Sequence, residues 1–169
     1  MNMKWKAVIA LAAPVLVLAA VQAQQQRAKG SLTALDYVEI QQIYGRYSIG
    51  VDSGNGDLFA SAFTPDGIFD YPAGPIQGRE KLAAFAAKPS PAKGPTNAVH
   101  FPTNVTIEPS PEGATATAYV MLVNFGQGGK PSAVVGGGVY HDSFVKGPEG
   151  WRLKKRIYLP AHSADKPTQ

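Results

Sequence analysis

AVVGGGVYHDSFVKGPEGWRLKKRIYL, residues 133 to 159, decides how the chain folds. Ala133 to Lys146 and Trp151 to Leu159 each read as a strand with a period of two. Gly147-Pro148-Glu149-Gly150 lies between them, a reversal built of turn formers, so the two runs predict a β-hairpin. Tyr140, Asp142 and Phe144 then share one strand face. Pairing across Gly147 would set Asp142 opposite Lys154 and Tyr140 opposite Arg156, making an ion pair the default for Asp142. Gly136-Gly137-Gly138 has no side chains to pack and predicts a bulge or sharp bend, which lets a sheet curl and leaves a concavity. The basic cluster Arg152, Lys154, Lys155 and Arg156 is interleaved with Trp151, Leu153 and Ile157. It reads as a solvated strand face rather than a phosphate-binding patch.

Working outward, Ala98 to Glu108 and Ala114 to Phe125 carry the same alternation, separated by Pro109 to Gly113, with Gly126 to Pro131 leading into the third strand. The four runs form an antiparallel meander. Upstream the period changes to that of a helix. Thr33 followed by Asp36 resembles a capping box, and Ile40, Tyr44, Tyr47 and Val51 recur at helical spacing, so a first helix runs from Ala34 to Val51. A short second helix covers Asp57 to Phe63 and stops at the turn sequence Thr64-Pro65-Asp66-Gly67. Ile68 to Tyr71 reads as a short strand and Arg79 to Ala87 as a third helix entered through Gly78. The Pro/Gly/Lys-rich segment Lys88 to Pro95 reads as a loop that could flap over a pocket.

The first residues describe an address. Lys4 and Lys6 precede the apolar run Ala7 to Val21, which ends in Val21-Gln22-Ala23, a pattern suited to signal-peptide cleavage after Ala23. The expected organisation is a signal peptide over 1–23, a flexible segment over 24–31, one domain over 32–160 and a disordered tail over 161–169. A periplasmic or secreted protein, free of the membrane after cleavage, follows. The chain has no cysteine, so neither a disulfide framework nor a thiolate site is available. Its formal charge is +4, which falls to +2 once Lys4 and Lys6 leave with the signal, too little to argue for nucleic acid. There is no HExxH, phosphate loop or nucleophile elbow, and three scattered histidines make a poor metal cluster, so neither metal nor cofactor is expected.

The segments LTALDYVEIQQIYGRYSIGVDSGNGDLFASAFTPDGIFDYP, IQGREKLAAF, HFPTNVTIE, ATATAYVMLV and GGVYHDSFVKGPEGWRLKKR, in that order, resemble the SnoaL-like branch of the nuclear-transport-factor-2-like superfamily. The resemblance spans nearly the whole mature chain. It implies an α+β fold in which a cone-shaped, curved antiparallel sheet carries three N-terminal helices packed over an apolar pocket, often as a homodimer. Members include polyketide cyclases, scytalone dehydratase, steroid isomerase, limonene epoxide hydrolase and non-catalytic subunits. In the scytalone-dehydratase-like pattern an aspartate ends the first helix and a histidine opens the first long strand, positions that match Asp52 and His100. The residue before the aspartate is Val51 here, where that pattern has tyrosine.

A carboxylate bonded to one imidazole nitrogen fixes the tautomer and leaves the other nitrogen to accept a proton. Asp52, His100 and Tyr47 are therefore the expected catalytic residues, with Tyr47 donating to a carbonyl oxygen. Tyr44, Phe63, Tyr119, Tyr140 and Asp142 are the expected substrate-binding residues. The corresponding function is a cofactor-independent lyase or isomerase acting on a small, largely apolar carbonyl compound. The alternative is a non-catalytic binding or dimeric partner module of the same fold. Residue by residue, plainer roles stand beside these: Asp52 as a turn cap, His100, Tyr44 and Tyr47 as core, and Asp142 as half of an ion pair. Tyr119, Met121, Val123 and Phe125 alternate with Ala118, Val120 and Leu122, so both faces of that strand need cover, and a homodimer through the outer face would supply it.

Overall fold

The computed structural model describes residues 31–87, 98–126 and 131–161. The expected signal peptide, the leader through Gly30, the Lys88 to Pro95 flap and the tail beyond Ala161 lie outside the described residues. Among those described, no helix is long and apolar enough to cross a membrane.

Helix α1 (Ala34–Ser53) starts at the predicted capping box. Thr33 Oγ1 accepts the Asp36 backbone N–H at 3.2 Å, and Asp36 Oδ2 accepts the Thr33 N–H at 2.8 Å. The other Asp36 oxygen accepts Trp151 Nε1–H at 2.8 Å and Lys146 Nζ at 2.7 Å, so the cap also ties the helix to the distant hairpin. The helix ends at Gly54, whose φ of 72° is the left-handed conformation that glycine adopts without steric cost. It buries Ile40, Ile43, Tyr44, Tyr47 and Val51, the face its spacing predicts. Helix α2 (Gly56–Ser61) follows at once and crosses α1 closely: a Cβ on Gly50 would lie 2.6 Å from the Phe59 Cα.

After α2 the structure departs from the expected turn. Thr64 to Gly67 lies inside strand β1 (Phe63–Asp70), and the irregularity sits as a bulge between Phe63 and Ile68. β1 pairs antiparallel with the short β2 (Ile76–Gln77), and α3 (Arg79–Ala87) matches its predicted bounds. Four long strands complete the chain: β3 (Ala98–Ser110), β4 (Gly113–Asn124), β5 (Ala133–Gly147) and β6 (Gly150–Pro160). The sheet order is β2-β1-β6-β5-β4-β3. The meander is therefore correct for β3 to β6, but the sheet is mixed rather than wholly antiparallel, because β1 lies parallel to β6. A helix and the meander separate β1 from β6 in sequence, so the chain returns to that edge in the same direction.

Curvature comes from irregular pairing. The register shifts between Leu122 and Val123 on β4, opposite the segment Val134 to Gly136, where the triple glycine predicts a bend. Gly138 also permits contact: a Cβ there would lie 2.7 Å from the Tyr158 ring and overlap the Leu159 carbonyl. The predicted hairpin register is off by two residues: the turn closes with Gly147 opposite Gly150, which accounts for one, and a bulge between Ser143 and Phe144, which leaves Lys154 unpaired, accounts for the other. Asp142 faces Arg156, and Tyr140 faces Tyr158. Lys154 and Lys155 do reach outward, to Asp66 and Asp70, but Arg156 is wholly buried.

Candidate functional site

Tyr47, beyond the middle of α1, is the hub of the aromatic core. Its ring lies 4.8 Å from Phe59, 5.8 Å from Phe69, 5.7 Å from Tyr140 and 6.4 Å from His100, measured between centroids. Between these groups the helices and the concave sheet face leave a cavity of about 280 Å³. Tyr47 and Val51 of α1, Phe85 of α3, and Phe69 with the adjoining Tyr71 line one side. His100 of β3, Val120 and Leu122 of β4, Tyr140 of β5 and Tyr158 of β6 line the other. The wall is mostly aromatic, with an imidazole and phenol groups as its polar features, the composition of a site for a small, largely apolar ligand.

Asp52 reaches this wall through His100. As a C-terminal residue of α1 it points across the turn to the first residues of β3, and its Oδ1 lies 2.6 Å from His100 Nδ1. Its Oδ2 accepts the His100 backbone N–H at 2.9 Å. A carboxylate can only accept, so Nδ1 carries a proton, and in the neutral imidazole it is Nε2 that holds the lone pair. Side-chain exposure is 9% for His100 and 15% for Asp52, so solvent screens the contact little. The turn after Asp52 is closed by backbone bonds from Gly54 and Asn55 to the Gly50 carbonyl. The Asp52 side chain does not cap that turn; its bonds go to His100.

Beneath the cavity lies a buried polar group that sequence reasoning missed. Arg156 donates from Nε to Asp142 Oδ1 at 2.8 Å and from Nη2 to Oδ2 at 2.7 Å, while the Tyr44 hydroxyl donates to the same Oδ2 at 2.6 Å. The guanidinium carbon stands 4.0 Å from the Tyr140 ring centroid, 4.2 Å from Tyr47 and 4.8 Å from Tyr44. Burial disfavours the guanidinium charge, but the Asp142 carboxylate outweighs it and holds the group above its ordinary value. Burial pushes the Tyr47 phenol up to about 12, with Arg156 pulling against that rise.

The predicted residues thus divide. Asp52, His100 and Tyr47 come together, with Tyr140 beside them on the cavity wall. Tyr44 and Asp142 belong to the arginine cluster behind the wall, and Phe63 is core packed on Phe59 at 5.4 Å, so none of the three lines the cavity. Tyr119 is 56% exposed on the opposite face of β4, because its odd-numbered positions point outward while Ala118 and Val120 point in. Phe69 and Tyr71, two residues apart and stacked on each other, were detectable by alternation alone. Arg156 was hidden by its basic neighbours. Among the described residues, no three His, Asp or Glu side chains are grouped to hold a metal ion.

The comparisons with known proteins agree with this fold. An uncharacterised protein of Mycobacterium tuberculosis H37Rv, Rv2910c, is 32% identical over 125 residues, covering 72% of this chain and 83% of its own. An NTF2-like protein with a cystatin-like fold from Novosphingobium aromaticivorans superposes with a TM-score of 0.69 at 20% identity, over 85% of this chain and 90% of that one. ActVI-ORFA from Streptomyces coelicolor gives 0.65 at 23% identity, over 75% and 98%. The model of the SnoaL-like domain matches residues 32–157, within the 32–160 domain expected from sequence. The chain belongs to the SnoaL-like domain family.

Proposed function

We propose that this protein is a cofactor-independent lyase or isomerase that abstracts a proton beside the carbonyl of a small, largely apolar compound. The observation that carries the reading is the 2.6 Å contact between Asp52 and His100 at the wall of an aromatic cavity. His100 Nε2 takes the proton. Asp52 holds the tautomer that makes this possible and stabilises the imidazolium formed. Tyr47 donates to the carbonyl oxygen as negative charge moves onto it, and the wall keeps water from competing. Return of the proton at another carbon isomerises the substrate. Loss of a β-substituent with the same electron pair makes the reaction an elimination.

One observation favours a second reading, a non-catalytic binding module. Asp52 bonds the His100 backbone as well as its ring, so the contact also straps the end of α1 to the start of β3. Deuterium uptake separates the two. Incubating the protein in D₂O with a panel of small aromatic ketones and following exchange of the α-protons by NMR detects proton abstraction without knowledge of the final product. Catalysed exchange that is lost in His100→Gln supports the enzyme. Ketones that bind without exchange in the wild type support the module.

A further inference from the structure

The geometry points to Arg156 as a positioning residue that makes the tyrosine side of the cavity an oxyanion site, so that Tyr47 and Tyr140 bind the negatively charged oxygen opposite the Asp52–His100 base. The proposal rests on the proton-abstraction reading above and extends it to where the developing charge goes.

Four features of the cluster carry it. Arg156 is completely buried, and a buried guanidinium is costly to desolvate, so its retention calls for a use of its charge. Asp142 engages only one edge, through Nε and Nη2, and part of that carboxylate's charge goes to the Tyr44 hydroxyl. Nη1 is buried with no hydrogen-bond partner. The rings nearest the guanidinium are those of Tyr140 and Tyr47, two of the four tyrosines that line the cavity with His100.

A cation packed against two phenol rings draws electron density from them, strengthens their hydroxyls as donors and stabilises an anion held by those hydroxyls. Burial raises both tyrosines, and the neighbouring Tyr47 raises Tyr140 further; in each case Arg156 pulls down more strongly than Asp142 pushes up. The groups that face this region are Tyr44, Tyr47 and, behind His100, Asp52 from α1, Tyr71 just after β1, His100 from β3, Tyr140 and Asp142 from β5, and Arg156 and Tyr158 from β6. Of these side chains, Arg156 is the one that is positive when His100 is in its proton-accepting form. The proton leaves carbon for His100 Nε2, the electron pair passes to the carbonyl oxygen, and the resulting enolate lies against the hydroxyls that Arg156 supports. The charge is thereby neutralised without a metal or redox step.

The test uses 4-nitrophenol, whose ionised oxygen stands in for the enolate and whose absorbance reports its ionisation when bound. Wild-type protein is expected to bind the phenolate at least about tenfold more tightly than the phenol, seen as a drop of at least about one unit in the pKa of the bound probe. In Tyr44→Phe/Asp142→Leu/Arg156→Met, which removes the charges and their hydroxyl partner together so that no buried ion is left alone, the preference should disappear. An unchanged preference in that variant overturns the proposal. Should the variant not fold, the wild type decides: a bound probe titrating at or above its free value, or no phenolate binding at millimolar concentration, also overturns it. His100→Gln must retain the preference, since its loss would assign the positive charge to imidazolium. Failure of the underlying reading is seen separately, as ketone exchange that His100→Gln leaves unchanged while the phenolate preference persists.

Discussion

Replacing Asp52 by asparagine asks one side chain to satisfy two donors with a single acceptor. His100 presents its backbone N–H and, in the native tautomer, Nδ1–H to the two carboxylate oxygens, at 2.9 and 2.6 Å. In Asp52→Asn the new amide oxygen must take the backbone N–H, which can only donate. The amide NH₂ then faces Nδ1, and the ring answers by moving its proton to Nε2. The base is lost although every hydrogen bond is kept. Turnover should therefore fall by roughly 10²- to 10⁴-fold, the usual contribution of a general base. Stability should fall by only about 1 kcal/mol as a charge-assisted bond becomes a neutral one. Asp52→Ala, by contrast, leaves both His100 donors partly buried and unpaired and should cost about 1–3 kcal/mol. Ketone exchange measures the rate, denaturant melts measure stability, and ¹⁵N shifts of His100 report which nitrogen holds the proton. An Asp52→Asn protein that exchanges within about threefold of wild type while Nε2 is protonated would refute the reasoning.

Other perturbations test the surrounding structure. Gly56→Ala drives a methyl group into the Ala83 carbonyl where α2 meets α3, so it should cost about 1–3 kcal/mol and lower the melting temperature by several degrees in calorimetry. Asp36 is held well below the usual carboxylate range, first by Lys146 and then by Thr33 and Trp151. Its stabilisation is full above the unfolded value of about 3.9 and is lost as pH falls below it, so between pH 5 and pH 2 the urea midpoint of wild type should drop further than that of Asp36→Asn. Tyr119, Met121, Phe125 and Val134 leave an exposed apolar face along β4 and β5, and a homodimer is expected to cover it. Light scattering should give a dimer at micromolar concentration, and Met121→Glu a monomer of unchanged helical content. Export with cleavage after Ala23 is expected to yield an intact mass beginning at Gln24. The full-length mass in a membrane fraction would instead identify an anchor.

What the sequence revealed, and what it hid, follows the range of the interactions. Helix α1, α3 and the four long strands came from period and punctuation, which are local, and their ends agree with the structure to within a few residues. Asp52 and His100 came from a resemblance in order and spacing. Nothing local announces that residues 48 apart in sequence meet at 2.6 Å. The parallel pairing of β1 with β6 was missed because a helix and the rest of the meander intervene between them. The partner of Asp142 was missed by two residues: the hairpin closes with Gly147 opposite Gly150, one residue off the register assumed, and the bulge after Ser143 adds one more, so Arg156 takes the place assigned to Lys154. Tyr119 failed for a related reason: alternation shows that two faces exist, but which one meets the helices is set by the packing of the entire sheet.

The clamp between Asp36 and Trp151 constrains the order in which the molecule can be made. Trp151, Leu153 and Arg156, buried parts of the core, all reside on the last strand, and the first helix and β1 both wait for it. A chain emerging from the ribosome can form its early helices and the β3 to β5 meander. It cannot close its core until β6 is out, because Trp151, the buried partner of Asp36, and the strand that pairs parallel with β1 are still in the exit tunnel. Most of the domain must be synthesised before the fold gains its cooperative stability, so folding falls late. Loss of only the final dozen residues before Ala161 would strip an interior strand from the sheet and leave β1 and β5 with bare edges.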